Sequence, residues 1–306
     1  MKTLVVLLGF LLFATLSPLT HAGADPEREA FERALAAARA DAAVPFALEV
    51  ACRDEGRHRA ARVYPGGVGV WDRTVQVTID AATRQALIGD LIDAGFARFE
   101  PRYGGQDKPA KAEAPMRILC RIAAEADGLE KASVQALYGE QSAAFAALAR
   151  SLLDRLEPLA AAGVRAGSLD EALAMLARGA LAPETLSLRL LRLPPESGSE
   201  AVGEIVRLDG LRRSRQAYSP GRVVGAPRPG MAAPAAVARI AAAASAEGFA
   251  SLPVNVAGRG HTELELDVLG HARTVIARDF TRAVAGEESA RFERLVEAVL
   301  AELGTN

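Results

Sequence analysis

The same hydrophobic stripe is written twice in this chain. Glu140–Leu156 reads EQSAAFAALARSLLDRL and Glu287–Leu303 reads EESARFERLVEAVLAEL. At a constant offset of 147 they share Glu140/Glu287, Ser142/Ser289, Phe145/Phe292, Leu148/Leu295, Leu153/Leu300 and Leu156/Leu303. Phe292, Leu295, Val299, Leu300 and Leu303 recur at helical spacing, whereas the substitutions Arg291 for Ala144 and Glu293 for Ala146 fall off that face. The shared positions are packing positions. The pattern predicts one amphipathic helix closing each of two copies of a unit.

The remaining pattern repeats in the same order. Phe31–Arg39 predicts an Ala-rich helix, and after Pro45 the run Leu48–Cys52 alternates as a strand. At an offset of 138, Ser168 and Glu171 form a capping box for a helix ending near Arg178, Pro183 matches Pro45, and Leu186–Leu190 matches the strand. Arg62–Tyr64 and Val68–Trp71 flank Pro65-Gly66-Gly67 as a hairpin, and Thr74–Ile79 alternates as a further strand. Asp80 caps a helix carrying Leu87, Ile88, Leu91 and Ile92 that stops at Gly95; its partner runs from Pro234 to Gly248. Alternating strands follow, with Met116, Ile118, Cys120 and Ile122 on one side in the first copy and Leu264, Leu266 and Val268 in the second. Ser133–Leu137 and Arg273–Ala277 return, the latter through a tight hairpin at Gly270.

Strand clusters broken by helices and joined by short turns predict the α+β class: two tandem copies of an antiparallel sheet with helices packed on one face. Residues 25–160 make the first repeat and 161–306 the second, with Ala160–Gly167 between them and the seam as a natural groove. A Gly/Pro-rich insertion at Ser219–Pro234 reads as a mobile surface loop. Ahead of both, residues 1–24 read as a signal peptide: Lys2, the apolar run Leu4–Leu16 and a small-residue cleavage site. The expected address is the bacterial periplasm or exterior, with no stable membrane span once the signal is removed. Its removal takes Lys2 from 36 basic residues against 38 acidic ones. That slightly negative balance argues against nucleic acid as a partner.

Few residues suggest chemistry. Cys52 and Cys120 are the only cysteines, both in line with the apolar residues of their strands. In an oxidising compartment they are expected to pair, with a stabilisation of about 3–5 kcal/mol. Their apparent counterparts in the second copy are Leu190 and Leu266. His261 and His271 invite a metal reading with Glu263, Glu265 and Asp267 between them. An extended run of ten residues, however, spans on the order of 30 Å at about 3.3 Å each, and the acidic residues alternate with Leu264, Leu266 and Val268 as a solvated face does. Neither metal nor cofactor is expected. No Gly-x-Ser-x-Gly elbow, His-Glu-x-x-His helix or phosphate-binding Gly-Lys-Ser/Thr loop occurs, so no catalytic residue is assigned. Candidate partner contacts are Tyr64, Trp71 and Tyr103 near Gly-rich turns, and Arg212, Arg213 and Arg215 in the basic run that follows Asp209-Gly210.

Gly248-Phe249-Ala250-Ser251-Leu252-Pro253, the strand Thr262–Val268, His271–Val275 and the closing Leu-rich helix resemble emfourin-type inhibitor domains of bacterial metallopeptidases. Other secreted bacterial domains share this element order. The resemblance covers about fifty residues per copy and implies an inhibitor of a bacterial metallopeptidase. The first copy departs from it, with a Cys-bearing strand and Phe99-Glu100-Pro101 in place of Leu252-Pro253, and no inhibitory residue is carried over. The sequence thus reads as a periplasmic or secreted, non-enzymatic binding or interaction protein, with an inhibitor as one form and another protein as the partner. A hydrolase using unrecognised carboxylates and a structural envelope protein are the alternatives.

Overall fold

A computed structural model of the chain describes residues 25–54, 57–103, 119–135, 142–193, 202–219, 222–258, 260–279 and 286–304. The expected signal segment, Met116, Ile118, Leu137 and Glu140 lie outside them.

The first repeat begins with α1 (Pro26–Ala40), whose N-terminal amides are capped by the Asp25 carboxylate. Four strands follow, β1 (Phe46–Asp54), β2 (Arg57–Val63), β3 (Val68–Trp71) and β4 (Val75–Thr78), then α2 (Ala81–Asp93), capped by Asp80. A short β5 (Arg102–Tyr103), β6 (Leu119–Ala126), β7 (Leu129–Gln135) and α3 (Ala143–Leu156) complete it. The second repeat has α4 (Leu169–Ala177), β8 (Leu186–Leu193), β9 (Gly203–Asp209), β10 (Arg212–Ser219), β11 (Arg222–Met231), α5 (Pro234–Ala246), β12 (Asn255–Ala257), β13 (His261–Val268), β14 (His271–Arg278) and α6 (Glu287–Leu303).

The strand orders are β4-β3-β2-β1-β6-β7-β5 and β11-β10-β9-β8-β13-β14-β12. Adding seven to each label of the first sheet gives the second, so the duplication holds for the topology as well as for the helices. The chain is α+β in two tandem sheet units. All neighbours are antiparallel except β5 with β7 and β12 with β14, which run parallel. These short additions at one edge make the sheets mixed, where the sequence predicts a purely antiparallel arrangement.

Alternation decides which face is covered. Phe46, Leu48, Val50 and Cys52 of β1 point to the helices and are buried, as are Leu186, Leu188 and Leu190 of β8. One core runs from Phe31 to Ala160, and a separate one from Leu169 to Leu303. In the first, the Arg84 guanidinium donates to the carbonyls of Ala38 and Val44 at 2.6 Å and lies over the Phe46 ring. Burial lowers its pKa, because its partners there are carbonyl dipoles rather than a carboxylate.

Cys52 faces Cys120 across β1 and β6, and the two form a disulfide. The second sheet corrects one correspondence: Leu190 pairs with Leu264, not Leu266, so Leu264 occupies the place of Cys120.

A larger correction concerns Ser219–Pro234. Rather than a loop, Arg222–Met231 is β11, the edge strand that pairs with β10 and corresponds to β4. Pro227 and Pro229 disguise it, since proline cannot donate to a ladder, but an edge strand has one side without a ladder and tolerates them. The linker is also more ordered than its composition suggests. Val164 exchanges two backbone hydrogen bonds with Gln76 of β4, at 2.8 and 2.9 Å. That approach requires Gly163, where a Cβ would stand 2.7 Å from the Gln76 carbonyl oxygen.

Candidate functional site between the repeats

The faces that point away from the helices meet at the seam. On the first sheet they present Ala51, Glu49 and, from β2, Ala60 and Arg62; on the second, Arg189, Arg207, Asp209, Glu265 and Asp267. These residues, with Tyr64, Arg73, Glu184 and aliphatic side chains such as Val70, Leu188 and Leu208, line a half-open cavity of about 540 Å³, within the size range of small-ligand pockets.

Three ion pairs hold the two sides together. Arg62 donates to Asp209 at 2.6 Å, Arg73 to Asp267, and Arg212 to Glu125. The strand registers make the first pair special. Glu49 faces Arg62 and Ser187 faces Asp209, and Glu49 and Ser187 are equivalent at the offset of 138, so Arg62 and Asp209 are equivalent positions that meet each other. Such self-contact marks an approximate two-fold axis, as in an isologous dimer interface. The other two pairs reciprocate: the end of β3 reaches β13 through Arg73 and Asp267, and β10 reaches β6 through Arg212 and Glu125. The cavity lies beside this axis.

Asp267 is the most enclosed of these charges, at 8 % exposure. Besides taking the Arg73 guanidinium it accepts from the Gly270 amide at 2.8 Å, tying the β13–β14 turn to the seam. The Asp267 end of an acidic run that reads as solvated in the sequence is therefore covered by the other repeat, while Glu263 pairs with Arg189 of its own repeat. Asp267→Asn is expected to cost about 1–3 kcal/mol of seam closure, since it removes a charge-assisted bond from a mostly buried group. The check is limited proteolysis of the linker: faster cleavage at Ala160–Gly167 in the variant supports the seam role, and an unchanged rate removes it.

Arg62 also sits beneath Tyr64, with its guanidinium carbon 5.4 Å from the ring centre and Nη1 3.4 Å from the phenol oxygen. Burial alone lowers the Arg62 pKa, but Tyr64 and Asp209 outweigh it and hold the group above the ordinary arginine value. Desolvation raises the Tyr64 phenol above its usual value, so it stands at the cavity wall as a neutral donor and acceptor.

Of the candidate contact residues, Tyr64 alone lines the cavity. Trp71 is buried at 7 % exposure in the first core, and Tyr103 packs against Phe99 and Phe145 at 6.2 and 5.8 Å, so neither stands at a loop tip. The basic run is divided. Arg212 spans the seam, while Arg213 donates to the Leu303 carbonyl at 2.6 Å and Arg215 to the Gly304 carbonyl at 2.8 Å. The last two satisfy carbonyls at the end of α6, where the helix dipole favours a cation. His261 and His271 sit at opposite ends of the β13–β14 hairpin, and His271 holds the linker through the Ala166 carbonyl at 2.9 Å. Among the described residues no group of three or more His, Cys, Asp or Glu is placed to hold a metal ion, and no helix is long and apolar enough to cross a membrane.

Sequence reasoning missed Glu49, Glu184, Arg189 and Arg207, and it set Glu265 aside as part of a solvated face. The available signal was alternation: each strand residue among them stands one position off the buried stripe. Comparison with protein-family profiles and with curated proteins finds no match for the chain.

Proposed function

We propose that this chain is an exported, non-enzymatic binding protein that holds its ligand at the seam between its two repeats. The observation that carries this is the half-open cavity of about 540 Å³ between the outward faces of two units, each with its own core. Sheet faces that served only to join the repeats would meet as a packed apolar layer. Here charged side chains stand among alanine, valine and leucine around open space, and the repeats are joined by ion pairs, by the Ala182 amide donating to Gln76 and by Val70 packing against the second core. The disulfide agrees with an oxidising compartment, and the apolar start of the sequence supports the periplasm or exterior as the address. The resemblance to emfourin-type domains supports an inhibitor as one form of this reading, with a peptidase segment entering the seam.

The test is a variant that fills the cavity without touching a charge. Ala60 lines it from the outward face of β2, and Ala60→Trp adds an indole there. Native mass spectrometry of the protein purified from its exported fraction should show a bound ligand or a stoichiometric partner in the parent and at least a tenfold loss in the variant. Identical occupancy of the two overturns the seam as the site.

The carboxylates of the cavity favour a hydrolase as the second reading. Glu184 and Glu265 are the two without an ion pair among the described residues. Substrate turnover lost in Glu265→Gln with ligand binding retained would move the assignment to an enzyme.

A further inference from the structure

Nine charged side chains line the seam cavity, and six of them are answered. Arg62 holds Asp209 and lies 3.7 Å from Glu49, Arg73 holds Asp267, and Arg189 is paired with Glu263 at 2.7 Å. Arg207, Glu184 and Glu265 have no ion pair among the described residues. Two of these unanswered charges lie in one row across the second sheet. Arg207 on β9 faces Arg189 on β8, which faces Glu265 on β13. With strands about 4.8 Å apart, the α-carbons of Arg207 and Glu265 are separated by about 10 Å. Glu184, immediately before β8, supplies the third charge from the end of the cavity beside Tyr64.

Arg207 faces Arg189 directly across neighbouring strands, and the Glu263 carboxylate answers only Arg189; Arg207 is exposed, so water screens the repulsion but supplies no fixed partner. An anionic group beside Arg207, with ammonium groups beside Glu265 and Glu184, leaves every charge of the cavity paired. Resting on the seam reading above, we infer that the cavity binds a basic amino acid or the carboxy-terminal basic residue of a short peptide. Arg207 takes the carboxylate, Glu265 the α-nitrogen in its charged or peptide form, and Glu184 the side-chain cation. One negative and two positive charges on the free amino acid complement one positive and two negative charges on the wall. A dicarboxylate or a phosphate would leave Glu184 and Glu265 facing an anion.

Isothermal titration of the purified protein tests this with four probes: L-lysine; cadaverine, which lacks the carboxylate; L-norleucine, which lacks the side-chain ammonium; and L-glutamate. L-lysine is expected to bind at least about tenfold tighter than each of the others, the loss that follows from removing one charge-assisted contact. Arg207→Met should lose at least about tenfold for L-lysine and leave cadaverine unchanged; thermal melting shows whether the variant retains its fold. Glu184→Gln should remove the preference for L-lysine over L-norleucine. A short peptide ending in lysine, compared with the same peptide as its C-terminal amide, separates the two sources: binding of the acid but not the amide identifies a chain terminus as a ligand. Tighter binding of L-glutamate, parental L-lysine affinity in a folded Arg207→Met, or no binding of L-lysine or of the lysine-ending peptide overturns the assignment. If a co-purifying ligand is lost in Ala60→Trp while L-lysine and the peptide fail to displace it from the parent, the seam remains a binding site and only the ligand class falls. If Ala60→Trp changes nothing, the seam itself falls.

Discussion

Replacing Cys52 and Cys120 together by alanine lowers the stability of the first repeat by about 4 kcal/mol and leaves the second where it was. The bond closes a separation of 68 residues, for which the chain-entropy model gives about 4 kcal/mol. Both cysteines are buried on the core side of the two central strands, so the double variant also gives up packing. A Cys52→Val, Cys120→Ala variant restores part of that packing and separates the two contributions. The chain provides its own reporter, because its single tryptophan, Trp71, lies in the core of the first repeat. In a urea titration the Trp71 fluorescence midpoint is expected to fall, and the part of the circular-dichroism signal that belongs to the second repeat should stay in place. A reducing agent added to the parent protein should reproduce the shift. If fluorescence and circular dichroism move together by the same amount, the repeats unfold as one cooperative unit and the two cores are not independent.

In the second repeat Leu190 and Leu264 occupy the place of the disulfide, with side chains of larger volume. This substitution shows how the sequence reports one kind of fact and conceals another. Buried stripes repeat because packing constrains them, so the helices, the central strands and the α+β class are readable from periodicity alone. The register between β8 and β13 is not, because moving a match by two residues keeps every leucine on its face; only the partner strand decides between Leu264 and Leu266. Edge strands are harder still. β11 carries two prolines and is exposed along most of its length, so it has neither the apolar alternation nor the hydrogen-bond demand that makes a central strand recognisable. The seam was the least legible part. Glu263, Glu265 and Asp267 alternate with leucine as a solvated face would, and nothing local distinguishes water from a second sheet as the thing they face. Arg213 and Arg215 look like a surface run for the same reason, although their acceptors are the last carbonyls of a helix some ninety residues away.

Because each repeat has its own core, the most heavily shared residue should have two separate effects. Phe145 and Phe292 occupy the same place in α3 and α6, at 0 and 1 % exposure. Each truncation to alanine is expected to cost about 3–5 kcal/mol, the usual range for a buried phenylalanine. Phe292→Ala should destabilise the second repeat and leave the Trp71 midpoint unchanged, and Phe145→Ala should move that midpoint. The two costs should differ. Phe145 lies 5.8 Å from both Phe99 and Tyr103, and every aromatic ring pair among the described residues belongs to the first repeat. Leu252 stands in the second repeat where Phe99 stands in the first, so Phe292 has no aromatic ring pair among the described residues and forgoes about 0.5–1.5 kcal/mol per ring contact. Phe145→Ala should therefore fall at the upper end of the range and Phe292→Ala at the lower. Chemical denaturation of both variants, followed by fluorescence and circular dichroism, reads the difference directly. A Phe292→Ala protein whose Trp71 midpoint falls as far as that of Phe145→Ala would mean that the ion pairs at the seam couple the repeats more strongly than polar contacts around an open cavity can account for.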